Sequence, residues 1–426
     1  MSRHLLWILG ILFFQFQFIL RMSTGILRHD IMANFNITVL EFGDLVGWYY
    51  LGYAGMQVPI GSLLDKYNPK YISFFSLLIC SIGTLAFVAT DSWVLGLFGR
   101  FLIGFGSATA VLFCIKVVTS YYPSKYHAIM IGLSVTGGLL GAIWGGNPMK
   151  EIFQMYGYHT TFYGLVAVGC TLGFLTIITP TPQTLDVTDN QAPSTTFSET
   201  CKLIFNPILL FIGICGGLIV GTLEGFADVW AISFFESVFQ FNTHDSTALA
   251  TTVFEGLAIG GIIIPPIALW FRNDSIFVFV LGIINAAVYF FLFKYTNMSY
   301  LAVYWLMMLL GLLCAYQTVI FNIVTKFVGA KYSGVAIALT NCINMAFGSI
   351  FHKLIVQRLY DYNTAVLPTG DEITQVGQVV DQYTPEAYIH SLMPIPMLSI
   401  LGAFGFIYIA YYLRKNPNIS VSPKVI

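Results

Sequence analysis

The feature that most constrains this chain is a series of long apolar segments that recurs from one end of the sequence to the other. A helix needs about 20 apolar residues to cross the ~30 Å hydrocarbon core of a bilayer. Twelve segments are of that order, at residues 5–27, 43–64, 70–90, 93–120, 126–148, 161–180, 206–235, 246–270, 275–293, 299–325, 332–355 and 390–413. The sequence therefore predicts an all-α integral membrane protein with twelve transmembrane helices.

Composition excludes the main soluble classes. Only 9% of the residues are charged and 57% are hydrophobic, whereas soluble domains carry about 25% charged residues. A net charge of -1 provides no basic field for nucleic acid. The seven cysteines form no C-x-x-C pair, and the sequence has no ATP-binding glycine loop. We therefore expect no metal, no cofactor and no enzymatic activity.

The basic residues predict how the chain is oriented. With the N-terminus in the cytoplasm, the cytoplasmic segments hold more Lys and Arg than the opposite side, which places both termini in the cytoplasm. Two polar stretches, 181–203 and 357–388, then form a cytoplasmic linker and an outer segment. No long glycosylated loop is present, so we expect a bacterial inner membrane, with an organelle membrane as the alternative, and a monomer surrounded by lipid.

The two halves of the chain repeat each other. A constant offset of 206 residues superimposes Phe35 on Phe241, Gly55 on Gly261 and Pro59 on Pro265. This predicts an N-terminal six-helix bundle at 1–182, a linker at 183–205 and a C-terminal bundle at 206–426. Parallel repeats of this kind form solute sites near the midplane between the halves. The alternative is a helical scaffold that transports nothing.

Five ionisable residues fall deep inside predicted spans, where an unpaired charge costs several kcal/mol and marks a candidate functional site. They are Arg21, Arg100, Glu224, Asp228 and Glu255. The offset of 206 places Arg21 opposite the neighbour of Asp228, so the two side chains are expected at similar depth on facing walls.

These charges suggest a proton-coupled site for an anionic solute. Arg21 and Arg100 are candidates to bind a substrate carboxylate, and Glu224, Asp228 or Glu255 to carry a coupling proton. Glu224 and Asp228 are four residues apart, share one helical face and repel each other when both are ionised. The alternative is a set of structural ion pairs, such as Arg21 with Asp228.

The mixture of positive and negative side chains in the predicted cavity fits a small carboxylate-bearing solute. An amino acid or a short peptide is the first candidate. A multidrug or metabolite efflux antiporter is the alternative. Further predicted substrate contacts are Tyr49, Tyr53, Trp230, Trp305, Gln317 and Asn341. The seven histidines lie at or near the ends of the predicted spans and form no catalytic set.

Two motifs resemble those of the major facilitator superfamily. The loop Gly61-Ser-Leu-Leu-Asp65-Lys66-Tyr-Asn68-Pro-Lys70 is similar to its G-x-L-x-D-R-x-G-R-[RK] loop, and Arg100-Phe-Leu-Ile-Gly104-Phe-Gly106 resembles its R-x-x-x-G-x-G motif. The loop departs from the pattern where Lys66 replaces Arg and Asn68 replaces Gly. Asn tolerates a left-handed backbone, so we expect the turn to be kept.

The resemblance implies two pseudo-symmetric six-helix bundles that work by alternating access. It also implies that Gly61, Asp65 and Lys66 belong to a conformational gate. The stretch Arg21-Met-Ser-Thr-Gly25, together with Tyr49-Tyr50 and Met56-Gln-Val-Pro-Ile-Gly61, is similar to bacterial permeases that include phagosomal nutrient transporters. That similarity implies import of amino acids or nucleosides.

Overall fold

The computed structural model describes residues 2–123, 126–181, 197–329, 332–366 and 383–416. Within these ranges the regular structure is α-helical. The helices of the N-terminal half are α1 (Ser2–Ile26), α2 (Arg28–Phe35), α3 (Val39–Lys66), α4 (Pro69–Val88), α5 (Trp93–Ser107), α6 (Thr109–Tyr121), α7 (His127–Trp144), α8 (Asn147–Tyr156) and α9 (Tyr158–Ile178).

The C-terminal half follows a short helix in the predicted linker, α10 (Phe197–Ile204). Its helices are α11 (Pro207–Ala227), α12 (Trp230–Val238), α13 (Thr243–Ala268), α14 (Asp274–Lys294), α15 (Tyr300–Cys314), α16 (Tyr316–Val328), α17 (Ser333–Val366), α18 (Pro385–Leu392) and α19 (Pro394–Lys415).

These helices make up the twelve predicted spans. Ten stretches are long and apolar enough to cross a membrane, and α7 with α8 forms an eleventh that bends by 43°. The remaining span is α3, which is 28 residues long and carries several polar residues near its ends. The all-α, twelve-helix prediction is confirmed.

Helix starts and breaks recur in both halves. Thr38 caps α3 and Asn242 caps α13, 204 positions later. Asn68 and Asn273 cap α4 and α14 at a separation of 205, and Ala108 and Ala315 break spans four and ten at a separation of 207. The duplication is therefore present, but the constant offset of 206 is wrong, because the connections between helices differ in length by a few residues.

Glycines in the two halves produce the same close helix crossing. A Cβ on Gly104 of α5 would overlap the carbonyl oxygen of Tyr49 in α3, and a Cβ on Gly311 of α15 would overlap that of Val253 in α13. Small residues let membrane helices approach until their backbones touch. The glycine motif of span four thus sets how span four crosses span two, and Gly311 repeats the arrangement.

The halves meet most extensively through two helix pairs, α3 with α17 and α7 with α13. A Cβ on Gly47 of α3 would lie 2.9 Å from the Ser349 hydroxyl of α17. Asn147, which follows α7, donates from Nδ2 to the carbonyl of His244 at 3.0 Å. We call this end of the molecule, which contains Gly47, Asn147, His244 and Ser349, the closed end.

The same four helices have free space near their other ends, which we call the open end. A Cβ added there would meet nothing within 4 Å, at Gly55 and Gly61 of α3, Gly132 of α7, Gly261 of α13 and Gly334 of α17. These four helices therefore have close contacts across the halves at one end, and glycines that border open space at the other.

Two polar segments contain more helix than predicted. Helix α17 continues to Val366 rather than ending near residue 355, and Gln357 donates to Asp361 at 2.8 Å one turn later, which satisfies polar groups beyond the apolar core. Residues 197–204 of the predicted linker form α10. The rest of the linker, 182–196, and residues 367–382 of the outer segment lie outside the described residues.

Candidate functional site

Four buried polar side chains meet where the two halves touch. Arg21 of α1 and Tyr50 of α3 come from the N-terminal half, and Glu224 and Asp228 come from α11 and its C-terminal end. Arg21 Nε lies 2.5 Å from Asp228 Oδ2, and the guanidinium also pairs with Glu224. The Tyr50 hydroxyl donates to Asp228 and lies 3.4 Å from Glu224 Oε2. We call these four residues the charge cluster.

Glycines and a helix break bring the charge cluster together. A Cβ on Gly25 would overlap the carbonyl of Asp228, so a larger residue there would push α1 away from α11. Gly348 of α17 leaves room for both Tyr50 and Glu224, whose atoms lie 3.1 Å from its ideal Cβ position. Helix α11 ends at Asp228, which turns this carboxylate toward α1.

The charge cluster holds one cation and two carboxylates in a site with almost no solvent access. The side chains of Arg21, Glu224 and Asp228 are exposed by 6%, 9% and 2%. Asp228 Oδ1 has no hydrogen-bond partner among the described residues. Buried charges are tolerated when they are paired, and Arg21 pairs with both carboxylates. The predicted closeness of Arg21 and Asp228 is present in the structure.

Arg100 lies near the charge cluster but has no carboxylate partner among the described residues. It is 3% exposed, Nη1 donates to the Leu20 carbonyl at 3.1 Å, and Nε has no partner. Its guanidinium lies 4.9 Å from the centre of the Tyr49 ring, a cation–π distance. This leaves one buried positive charge available to an anionic group.

Aromatic residues extend from Arg100 along α3. The Tyr49 hydroxyl donates to Gln17 Oε1 at 2.9 Å. The Tyr53 ring stacks on that of Tyr49, with centroids 6.1 Å apart. Three of the predicted substrate contacts, Tyr49, Tyr53 and Arg100, therefore lie together beside the charge cluster.

Sequence reasoning missed one residue of this region, His352. Trp230 Nε1 donates to His352 Nδ1 at 3.1 Å, and the Tyr50 ring lies 5.4 Å from the imidazole. The assignment of His352 to the end of a span is wrong, because α17 continues for another fourteen residues and the side chain is fully buried. Its contacts with Trp230 and Tyr50 come from other helices, so no spacing in the sequence signals them.

The remaining predicted substrate and proton residues lie elsewhere. Gln317 donates to Asn341 at 3.1 Å, so these two contact each other rather than the charge cluster. Glu255 lies beside the Tyr304 hydroxyl. Trp305 is 60% exposed on the same stripe of α15 as Leu301 and Leu309, so its placement in a cavity is wrong: that face of the helix points outward.

The predicted gate residues lie at the open end. Gly61 is half-buried and Lys66 is exposed at the end of α3, while the side chain of Asp65 lies outside the described residues. The expected left-handed turn at Asn68 is wrong. Its φ is -60° and its side chain accepts from the Lys70 N–H at 3.1 Å, because it caps α4. Lys70 Nζ in turn binds the Thr179 carbonyl at 3.0 Å, at the end of α9.

Comparison with known proteins agrees with this architecture. The Major Facilitator Superfamily model matches residues 6–352. A cis,cis-muconate transport protein of Acinetobacter baylyi is 23% identical, over 63% of this chain and 66% of its own length. The niacin transporter NiaP of the same organism is 27% identical, over 38% of each chain. The matches thus span less than two thirds of these relatives.

A solved structure has the same fold. The crystal structure of a bacterial homolog to the human lysosomal transporter Spinster, in an inward-facing and occupied conformation, superimposes with a TM-score of 0.73 and 15% identity. The match covers 96% of this chain and 97% of that one. The twelve spans, the duplicated halves and the family match lead to one conclusion: this chain is a multi-pass membrane protein and belongs to the major facilitator superfamily.

Proposed function

We propose that this protein is a secondary active transporter that moves a small carboxylate-bearing solute by alternating access and couples this movement to protons. The observation that carries the proposal is the position of the charge cluster. Its cation and its phenol belong to one half of the molecule, and its two carboxylates belong to the other.

This division supplies a mechanism for coupling. Opening the closed end would take Arg21 and Tyr50 away from Glu224 and Asp228. Removing one partner of a buried ion pair costs about 3–5 kcal/mol, because the remaining charge is uncompensated. A proton bound to a carboxylate replaces the lost positive charge. Proton binding therefore favours the state that is open at this end, and re-closure releases the proton as Arg21 returns.

Direction follows from the predicted orientation. With both termini in the cytoplasm, α1 crosses from the inner to the outer face, so the closed end faces outward and the described conformation is open to the cytoplasm. Protons would then bind from outside and leave toward the inside. This is the order of events in a symporter, and a bacterial inner membrane supplies the required gradient.

Arg100 is the proposed anchor for the solute. It offers an unpaired guanidinium beside the rings of Tyr49 and Tyr53, which suits a carboxylate attached to a planar or unsaturated body. The names of two relatives agree with such a solute, since muconate is a conjugated dicarboxylate and niacin an aromatic carboxylate. We therefore place organic acids ahead of amino acids and short peptides.

The test begins with a thermal-shift screen of the purified protein against cis,cis-muconate, nicotinate, galactarate, amino acids, dipeptides and lipophilic cations. A ligand that binds the native state raises the melting temperature. The best carboxylate is then followed in proteoliposomes, where we expect an acidic outside to drive accumulation and a protonophore to abolish it.

Two variants make the assignment of the anchor sharper. Arg100→Gln is expected to abolish the thermal shift by the carboxylate, whereas Arg272→Gln, at an exposed position, keeps it. Stabilisation by lipophilic cations alone would favour the efflux antiporter instead. An unchanged carboxylate response in Arg100→Gln would exclude Arg100 as the anchor.

A further inference from the structure

A buried hydrogen bond beside the charge cluster fixes the state of a histidine. Trp230 Nε1 lies 3.1 Å from His352 Nδ1, and both side chains are fully buried. An indole nitrogen only donates, so Nδ1 is the acceptor and the neutral ring carries its hydrogen on Nε2. Among the described residues Nε2 has no partner. A proton cannot bind Nδ1 while Trp230 donates to it.

The N-terminal half covers this pair. The Tyr50 ring lies 5.4 Å from that of His352, and the Arg28 guanidinium lies 5.9 Å from the Trp230 ring. Arg21 lies 5.2 Å from the centre of the same Tyr50 ring, and Arg100 lies 4.9 Å from that of the neighbouring Tyr49. All of these groups belong to the half that moves relative to α17 in alternating access, and a nearby arginine disfavours an imidazolium.

Other charged and titratable groups lie around α17. Glu224 and Asp228 pair with Arg21. Along α17 itself, Lys353 pairs with Asp44 of α3 at 3.0 Å, and Arg358 lies 3.4 Å from His390 of α18. The Tyr388 phenol of α18 is buried. His352 is therefore held neutral by its burial and by the hydrogen bond from Trp230, with arginines of the other half nearby.

We propose that His352 is a second proton-binding group of the transport cycle, neutral while the closed end is shut and protonated on Nδ1 once the halves separate there. Separation removes Arg21, Arg28 and Tyr50 together and admits water, which can accept from the Trp230 indole in place of Nδ1. A proton from water then binds the Nδ1 lone pair. On re-closure the indole N–H and the arginines return, and the same proton leaves to water at the open end.

This inference rests on the proposed proton coupling, but its test needs no solute. Spin labels are attached at Ala33→Cys and Thr243→Cys, exposed positions in opposite halves at the closed end, with Cys170 and Cys201 replaced by Ser. Double electron–electron resonance in lipid nanodiscs then gives the ratio of separated to closed molecules. The pH is varied from roughly 5.5 to 8, around the ordinary histidine pKa of about 6.5.

Each proton bound on separation changes that ratio by up to about tenfold per pH unit. We expect wild type to separate as the pH falls. His352→Asn keeps an acceptor oxygen for Trp230 but cannot take the proton, so its slope is expected to fall by one proton. Trp230→Phe frees Nδ1 while the closed end is shut, so the closed state can also bind the proton and the slope is expected to become shallower. His390→Asn, at an exposed histidine, is the matched control and keeps the wild-type curve.

A wild-type slope in His352→Asn would overturn the inference, as would a ratio that does not respond to pH in wild type. A Trp230→Phe curve with the wild-type slope would remove the role of the indole. Proton-driven accumulation in proteoliposomes judges the proposed function separately. If this accumulation is absent while the pH dependence of separation still requires His352, the proposed proton coupling is rejected and the inference about His352 is kept.

Discussion

Arg21 and Asp228 touch across the boundary between the two halves, with Nε and Oδ2 2.5 Å apart and 207 positions between them in the sequence. The contact joins the first span of one repeat to the first span of the other. It is thus an ion pair that a movement of the halves must break, at the place where pseudo-symmetry puts a solute. Its energy is therefore part of the free-energy difference between the two transport states.

The first prediction concerns transport by single neutralising variants. Glu224→Gln and Asp228→Asn each remove a carboxylate of the charge cluster. In the proposed cycle that carboxylate binds a proton when Arg21 moves away and releases it when Arg21 returns. We expect both to lose accumulation against a gradient, because the proton no longer enters the cycle. Solute exchange is expected to continue, because it requires no net proton movement. Radiolabelled uptake and counterflow in the same proteoliposomes measure the two activities.

Glu236→Gln is the control for that measurement, since this glutamate lies on α12 outside the charge cluster. It should accumulate solute as wild type does. Full proton-driven accumulation by both Glu224→Gln and Asp228→Asn would show that neither carboxylate carries the proton.

The second prediction concerns stability. One neutral substitution leaves Arg21 with the other carboxylate, so each single variant should lose little stability. The double variant Glu224→Gln, Asp228→Asn leaves the guanidinium buried and unpaired, which costs about 3–5 kcal/mol. Adding Arg21→Met removes the charge and should restore much of the loss. Thermal inactivation half-lives in detergent test this order, and additive losses without rescue would contradict it.

Much of this fold follows from the sequence because hydropathy reports membrane spans directly. The segments around Pro69–Val88 and Asp274–Lys294 could be placed within one or two residues. Helix α17 could not, because Gln357, Arg358 and Asp361 are too polar to count as a span, yet they continue the helix through their own contacts. Hydropathy locates the lipid boundary and not the end of the helix.

The site was predictable where charge and symmetry act together. Arg21, Glu224 and Asp228 stand out because charges are costly in lipid, and the repeat places them near each other. The prediction for Trp305 failed, because an aromatic residue in a span is as common on the lipid face as in a cavity and carries no charge that would distinguish the two. His352 escaped notice because its importance depends on contacts with Trp230 and Tyr50, which no sequence spacing reveals.

The third prediction uses the contact between α3 and α17 at the closed end. The ideal Cβ of residue 47 lies 2.9 Å from Ser349 Oγ, so Gly47→Cys with Ser349→Cys places two sulfurs within bonding reach. Oxidation should form the disulfide and stop transport, because the closed end can no longer open. Reduction should restore the activity, and gel mobility after protease cleavage between the halves follows the cross-link.

The pair Gly61→Cys and Gly334→Cys serves as the control, because it lies on the same two helices at the open end, where neither position has a neighbour within 4 Å. It should cross-link much more slowly in this conformation. Equal cross-linking of both pairs, with transport intact, would argue against a closed and an open end.

The last prediction concerns the crossing glycines of the two halves. Gly104→Ala and Gly311→Ala each place a methyl group on a backbone carbonyl, of Tyr49 and Val253 respectively, and backbone cannot yield as a side chain can. Overpacking of this kind costs about 1–3 kcal/mol or more. Both variants should therefore melt at a lower temperature than wild type and by similar amounts, because the two crossings are equivalent.

Gly55→Ala is the control, because it adds the same methyl group to open space and should keep the wild-type melting temperature. Equal melting temperatures for all three variants would mean that these crossings are looser than described.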